Sequence, residues 1–154
     1  MRRLLPVIGA LSLTACLNLN VDSPTAQNNP SDPATETFAS SLNINIATMQ
    51  KTASGVYYKD ATVGTGDELT SQTRVVVSYL LLLKTGAPAA QGVNETQDLA
   101  NQPAGYRDGI VGMRVGGERI LVVPSALGFG PRTDLPTIPP NSTLVYDVKL
   151  TLIP

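Results

Sequence analysis

One short segment has the spacing of an α-helix, and its glycines limit where such a helix can exist. Tyr106, Ile110 and Met113 recur at positions i, i+4 and i+7, so their large side chains lie on one helix face. Two glycines inside the same segment make this helix unstable by itself. The sequence therefore predicts a short helix that must be held by packing against a sheet.

The segments around this helix have the patterns of β-strands. Residues Thr143–Leu152 alternate between apolar and polar side chains, which is typical of a strand with one buried face. Arg74–Leu83 and Glu118–Val123 are rich in β-branched residues and leucine, which suits central strands. These patterns predict an α+β fold in which a curled antiparallel β-sheet is wrapped around one short α-helix.

The composition excludes most catalytic chemistry. The chain has no histidine, and Cys16 is its only cysteine. A Ser-His-Asp or Cys-His nucleophile is therefore impossible, as are a disulfide and a zinc site built from histidine or cysteine. The formal net charge of −1, without a basic cluster, argues against nucleic-acid binding. No metal and no cofactor is predicted, and apolar surfaces, hydroxyl groups and the backbone are left as the available chemistry.

A series of motifs near the C-terminus carries a family resemblance. The letters GMRVGG stand at 112–117, LGFG at 127–130, and IPP at 138–140, followed by STLVYDV at 142–148. In this order and at this spacing they resemble the FKBP-type peptidyl-prolyl isomerases, which bind macrolides. The resemblance runs without a gap from Gly105 to Leu150, and more loosely back to Thr52. It implies the FKBP fold and a pocket for proline-containing segments, with a macrolide as a further ligand.

Five residues match pocket positions of that family and are the predicted catalytic residues. The resemblance implies that Tyr106 replaces a tryptophan that forms the floor under the proline ring, and that Tyr79 forms a wall. Phe129 stands where the family has a tyrosine whose hydroxyl bonds a substrate carbonyl, so the wall is kept and that hydrogen bond is lost. Ile138 and Tyr146 match the isoleucine before the Pro-Pro pair and a phenylalanine of the last strand. Ordinary core packing is the alternative for each residue.

The interval between Tyr79 and Gly105 departs from the family pattern. It is shorter and has no segment like the family's Phe-Asp-Ser, so an aromatic ring and the aspartate that polarises the site are missing. Glu95 or Asp98 could approach the same space, although a solvated loop is favoured there. Pro103 falls where the family has a residue whose N–H holds the peptide carbonyl, and proline has no N–H. The pocket is expected to keep its floor and to have a depleted polar rim.

The predicted reaction needs no nucleophile. Isomers of an X–Pro bond interconvert over a barrier of about 20 kcal/mol, which comes from amide resonance. A dry apolar pocket favours the twisted, less polar amide, and side chains that grip the proline ring add to this effect. The sequence predicts a peptidyl-prolyl cis-trans isomerase that assists folding of unfolded, proline-containing chains. A catalytically weak or inactive binding module on the same fold is the alternative, and a purely structural lipoprotein is a third.

The N-terminus has the pattern of a lipoprotein signal. Arg2 and Arg3 precede an apolar run from Leu4 to Leu13, which is too short to span a bilayer. The run ends in Leu-Thr-Ala-Cys, which resembles the bacterial lipoprotein cleavage box and implies that Cys16 is lipidated. An ordinary secretory signal is the alternative. The sequence predicts an exported protein that is anchored to a bacterial cell-envelope membrane.

Three segments are predicted along the chain. Residues 1–15 are the signal peptide, residues 16–50 a lipidated N-terminus and flexible tether rich in proline and polar residues, and residues 51–154 the FKBP-like domain. Within the tether, Leu42–Ile46 alternates between apolar and polar residues, which indicates an extra edge strand or a short helical turn.

Overall fold

The structure, a computed structural model, describes residues 32–70 and 74–154 of the chain. Its strands and helix are, in chain order, β1 (Gln50–Lys51), β2 (Tyr57–Thr62), β3 (Arg74–Leu83), β4 (Pro88–Asp98), α1 (Ala104–Ile110), β5 (Glu118–Val123) and β6 (Leu144–Leu152). The strands form one antiparallel sheet in the order β1-β2-β5-β6-β3-β4. The predicted fold class, an antiparallel sheet with a short helix, is confirmed.

Two glycines allow α1 to lie directly on β5. A Cβ atom on Gly105 would be 2.5 Å from Cγ1 of Val123, and a Cβ atom on Gly109 would be 2.9 Å from Cδ1 of Leu121. These distances are shorter than carbon atoms tolerate, so a larger residue would push the helix away from the sheet. The same glycines lower the helix propensity of the segment, and packing against β5 therefore holds the helix in place.

The predicted apolar face of the helix is buried, although the helix ends earlier than its spacing suggests. Tyr106, Ile110 and Met113 have exposed fractions of 1%, 1% and 3%. The helix stops at Ile110, and Gly112, with a φ of 84°, turns the chain away. The carbonyl oxygen of Met113 then accepts a hydrogen bond from the N–H of Leu69 at 2.8 Å.

The central strands bury side chains on both faces of the sheet. In β6, every second residue from Leu144 to Leu150 packs into the main core together with α1, as the alternation predicts. Val145 points to the opposite face and is also buried, because it packs with Tyr57 and Val122 in a second cluster. A cover over this opposite face is therefore required.

That cover comes from residues 38–49, which the sequence assigns to a tether. The side chains that pack on the second cluster from this stretch are those of Phe38, Leu42, Ile44, Ile46 and Met49. Two short 3-10 turns, Ser40–Leu42 and Ile46–Thr48, carry the stretch, so the helical turn is correct and the extra edge strand is not. The stretch lies on the sheet because its large apolar side chains are thereby removed from water.

Glu36 fixes the beginning of this cover. Its Oε2 lies 2.9 Å from Nζ of Lys84, and its Oε1 accepts a hydrogen bond from the Thr143 hydroxyl at 2.6 Å. The Glu36 side chain is only 7% exposed, so a buried carboxylate is both paired and hydrogen-bonded. In addition, the N–H of Ala39 donates to the carbonyl oxygen of Lys84 at 2.9 Å.

The remaining N-terminal predictions lie outside the described residues. The signal peptide, Cys16 and the tether as far as residue 31 belong to this part of the chain. Within residues 32–70 and 74–154, no helix is long and apolar enough to cross a membrane.

The strand β4 is a feature that the sequence does not predict. It pairs with β3 along most of its length, in the interval where the sequence favours a solvated loop, so that prediction is wrong. β4 lies at the edge of the sheet, and most of its side chains are exposed, with Gly92 and Gln97 buried. A polar edge strand has no apolar alternation, so the usual signal of a strand is absent.

Candidate functional site

A pocket of about 240 Å³ opens between α1, the sheet and the loop before β6. We call it the apolar pocket. Its lining residues are Tyr79, Leu81, Ala89, Ala90, Gln97, Gln102, Tyr106, Phe129, Leu135, Thr137, Ile138 and Tyr146. This set includes all five residues that the sequence predicts for the site, and none of its members carries a formal charge. The structure therefore brings together side chains that are up to 67 positions apart, from Tyr79 to Tyr146.

Two tyrosine rings form the bottom of the apolar pocket. The ring centroids of Tyr106, on α1, and Tyr146, on β6, are 4.9 Å apart, and the ring planes are inclined by 45°. Both residues also belong to the main hydrophobic core. Core packing and pocket lining, which are alternatives in the sequence analysis, are thus combined in the same two residues.

The hydroxyl group of Tyr106 has a buried partner. It donates a hydrogen bond to Oε1 of Gln97 at 3.0 Å, from α1 across to β4. A buried hydroxyl without a partner would destabilise the fold, so Gln97 makes tyrosine acceptable at this position. Sequence reasoning missed Gln97 because it missed β4, and one polar residue in a polar strand gives no signal.

The hydroxyl groups at the bottom of the pocket remain neutral over a wide pH range. Burial raises the pKa of both Tyr106 and Tyr146 far above the usual value for tyrosine. For Tyr79, burial is again the largest cause of a raised pKa, followed by the negative charge of Glu95. The pocket therefore offers hydrogen-bonding hydroxyls and no ionised group of its own near neutral pH.

The walls of the apolar pocket differ in burial. Ile138 is buried, with 6% of its surface exposed, whereas Tyr79 and Phe129 are half-buried. On the side formed by β4, the lining consists of the small side chains Ala89 and Ala90 together with Gln97. That side accordingly has neither a large ring nor a carboxylate in its lining, in line with the absent Phe-Asp-Ser segment.

The two carboxylates that could have replaced the missing aspartate do not line the pocket. Asp98 accepts a hydrogen bond from the N–H of Ala100 at 3.0 Å and caps a 3-10 turn. Glu95 lies beside Tyr79: a Cβ atom placed on Gly92 would be 2.5 Å from Oε2 of Glu95 and 2.6 Å from Cε1 of Tyr79. Its charge is therefore close to the pocket wall without entering the pocket.

A β-bulge places Glu95 next to the wall. In the register of β3 and β4, Tyr79 lies opposite Gly92, and Val77 lies opposite Glu95, so β4 has one extra residue. Asn94, within the bulge, has a φ of 51°. An extra residue reverses the alternation, and Glu95 thereby comes to the same side of the sheet as Gly92.

The two residues before α1 offer no backbone donor to the pocket. Pro103 is the residue that precedes α1, and it has no N–H. The N–H of its neighbour Gln102 is already bonded to the carbonyl oxygen of Leu99 at 3.1 Å. The depleted rim predicted at this point thus agrees with the local hydrogen bonding.

Arg119 holds the helix that carries Tyr106. Its guanidinium forms a bidentate pair with Asp60, with distances of 2.6 and 3.2 Å, and lies 4.5 Å from the ring centroid of Tyr58. The same group also donates to carbonyl oxygens at the C-terminal end of α1. Within the described residues, no cluster of three or more metal-ligating side chains accompanies these groups.

Sequence comparison matches the part of this chain that forms the apolar pocket to a known protein family. A sequence profile described as FKBP-type peptidyl-prolyl cis-trans isomerase matches residues 66–151. FK506-binding protein 4 of Neurospora crassa is 39% identical over 109 residues, which cover 65% of this chain and 22% of that protein. The chain thus matches less than a quarter of the length of this curated relative.

Two bacterial structures have the same fold. FkpA from Escherichia coli has a TM-score of 0.62 and 30% identity, over 68% of this chain and 50% of that one. A peptidyl-prolyl cis-trans isomerase from Pseudomonas syringae pv. tomato has a TM-score of 0.60 and 28% identity, over 68% of this chain and 79% of that one.

The matched profile covers more than half of the 154 residues and includes every residue that lines the apolar pocket. The chain belongs to the FKBP-type peptidyl-prolyl cis-trans isomerase family.

Proposed function

We propose that this protein is an active peptidyl-prolyl cis-trans isomerase that twists X–Pro amides in the apolar pocket. The aromatic floor carries this proposal: the rings of Tyr106 and Tyr146 lie 4.9 Å apart at the bottom of an uncharged pocket. A flat apolar floor suits the face of a proline ring, and Ile138, Tyr79 and Phe129 surround it as walls. These five residues are the proposed catalytic residues.

The pocket acts on the relative stability of planar and twisted amides. The planar X–Pro amide is stabilised by resonance and by hydration of its polarised oxygen, whereas the twisted amide is less polar. An uncharged pocket removes water from the bond and thereby disfavours the planar form. Walls that fit the ring in the twisted geometry bind the transition state more tightly than the ground state, which is the requirement for catalysis. No bond is broken and no proton is transferred.

A binding module with little catalysis is the second candidate. It is favoured by the lack of hydrogen-bond donors at two rim positions, since Phe129 has no hydroxyl and Pro103 has no N–H. Such a module would hold proline-containing or unfolded segments in the same pocket. We propose that either form also binds a macrolide of the FK506 type in this pocket.

A coupled assay separates the two candidates. The full chain is added to a short X–Pro peptide whose trans form alone is cleaved by a protease, and the rate of cis-to-trans conversion is measured with and without FK506. An isomerase increases the rate, and FK506 suppresses the increase. Binding of FK506 or of unfolded protein without any rate increase would assign the chain to the binding class.

We propose further that the protein is exported and is anchored to a bacterial cell-envelope membrane through lipidated Cys16, where it assists protein folding. The sequence supports this: Cys16 is the only cysteine and stands at the end of a Leu-Thr-Ala-Cys box after a short apolar run. The proposed tether of residues 16–50 is limited by the packing of residues 38–49 on the sheet.

Replacement of the anchor residue tests this location. Cys16→Ser removes the only acceptor for the lipid, so the variant should accumulate as an uncleaved precursor or appear in the soluble fraction. Mass spectrometry of the wild-type mature chain should show acyl groups on Cys16. Wild-type protein that is fully soluble after export and carries no acyl mass would refute the anchor.

A further inference from the structure

Gln97 is a polar side chain that both lines the apolar pocket and contacts its floor. It lies on β4 opposite Val75, and only 9% of its surface is exposed. Its Oε1 accepts the hydrogen bond from the Tyr106 hydroxyl at 3.0 Å. Its Nε2 group has no hydrogen-bond partner among residues 32–70 and 74–154, so its two N–H bonds remain available to a ligand.

The hydrogen bond from Tyr106 also fixes the orientation of the Gln97 amide. Because the hydroxyl donates to Oε1, the opposite end of the amide presents donors and no acceptor. The floor residue and the amide are thus locked to each other, and a ligand on the Tyr106 ring lies next to these donors. A donor held in place before the ligand arrives needs little reorganisation to act.

The N–H groups of Gln97 could bond an acceptor that an X–Pro amide has only when it is twisted. When the X–Pro bond rotates, resonance is lost and a lone pair becomes localised on the proline nitrogen. A hydrogen bond to that nitrogen forms in the twisted state and not in the planar state, so it stabilises the transition state selectively.

The geometry points to Gln97 as a catalytic hydrogen-bond donor whose Nε2 bonds the proline nitrogen of a substrate lying on the Tyr106 ring while the X–Pro amide twists. This inference rests on the proposed isomerase function and adds a residue to its site. The competing role is structural: Gln97 would serve only as the acceptor that keeps the Tyr106 hydroxyl satisfied.

Two substitutions separate the donor role from the acceptor role. Gln97→Glu keeps an oxygen that accepts the hydrogen bond from Tyr106 but has no N–H when ionised, whereas Gln97→Met removes donor and acceptor together. Gln91→Glu, at an exposed position of the same strand, is the matched control for the added charge. Thermal unfolding of each full-length variant identifies any that fail to fold. If the buried charge unfolds Gln97→Glu, unchanged activity in Gln97→Met still overturns the inference.

The measurement is kcat and KM for an X–Pro peptide, followed from pH 5 to pH 8. We expect both Gln97 variants to lose roughly tenfold in kcat at pH 8 with little change in KM, since one hydrogen bond made in the transition state is removed. Burial raises the pKa of a carboxyl group, so Gln97→Glu should become protonated on acidification, regain a donor and recover activity at low pH. Gln91→Glu should remain within about twofold of wild type at every pH, because an exposed charge is largely screened.

Other results overturn the inference. A Gln97→Glu variant as active as wild type at pH 8 would show that Gln97 acts only as an acceptor. A change in KM alone would show that Gln97 binds the ground state as well as the transition state, and would also overturn the inference. A Gln97→Met variant as active as the wild type would show that Gln97 has no catalytic role, and the proposed isomerase function would be unaffected. Absence of activity in the wild type would refute the isomerase function and this inference together.

Discussion

Nη1 of Arg119 donates a hydrogen bond to the carbonyl oxygen of Gly109 at 2.9 Å, and so joins β5 to the C-terminal end of the helix that carries the pocket floor. A second bond from the same nitrogen reaches the carbonyl oxygen of Val111 at 3.1 Å. The N–H groups of Arg119 satisfy carbonyl oxygens that lack a partner at the end of the helix. Its positive charge also interacts favourably with the negative, C-terminal end of the helix dipole. One side chain therefore stabilises the fold and positions Tyr106.

Arg119→Ala should destabilise the domain by about 3 kcal/mol, because it leaves Asp60 without its partner and removes the bonds to the helix end. Urea unfolding measures this. Arg114→Ala is the matched control: Arg114 pairs with Glu68 at the surface, where both side chains are more than 40% exposed, and its loss should cost less than about 1 kcal/mol. Equal effects of the two substitutions would contradict the role assigned to Arg119.

Removal of residues before 51 should destabilise the domain by at least about 2 kcal/mol, since Tyr57, Val122 and Val145 would lose their apolar cover. The comparison is between the chain from residue 32 and the chain from residue 51, each measured by thermal unfolding. If residues 32–50 were a free tether, the two chains would unfold at the same temperature.

The stability of the domain should fall at alkaline pH because of its buried tyrosines. Tyr106 and Tyr146 have pKa values raised by burial, so in the unfolded chain they ionise near pH 10 while in the folded chain they stay neutral. Their contribution to the free energy of unfolding is therefore complete below about pH 10 and is lost as the pH rises further. Unfolding free energies from pH 8 to pH 11 test this, with Tyr146→Phe as the variant in which the decline should be smaller.

Phe129→Tyr should increase the turnover of an X–Pro peptide. The half-buried ring would gain a hydroxyl that can bond a substrate carbonyl, and one neutral hydrogen bond is worth about 0.5–1.5 kcal/mol, or several-fold in rate. This prediction is tested by measuring kcat/KM for the wild type and for Phe129→Tyr. An unchanged kcat/KM in a folded variant would indicate that hydrogen bonding at this wall does not limit the reaction.

The sequence predicts the strands and the pocket wherever large apolar side chains define them. Arg74–Leu83 and Glu118–Val123 coincide with β3 and β5, and the residues from Tyr79 to Tyr146 that were assigned to the pocket do line it. Gln97 could not be predicted, because it belongs to a polar edge strand whose side chains mostly face water. Packing of residues 38–49 on the sheet was missed for another reason: their apolar side chains are interrupted by polar ones, and the cluster they cover is visible only once the sheet is formed.

The central claim is that the apolar pocket catalyses X–Pro isomerisation, and the most direct test is kcat/KM of the full chain compared with Phe129→Ala in the protease-coupled assay. Val63→Ala, at a side chain that is 71% exposed, serves as the control. We expect measurable activity in the wild type, the same activity in Val63→Ala, and a loss of roughly tenfold in Phe129→Ala with the fold retained. Absence of activity in the wild type, or equal activity in the folded Phe129→Ala variant, would contradict the claim.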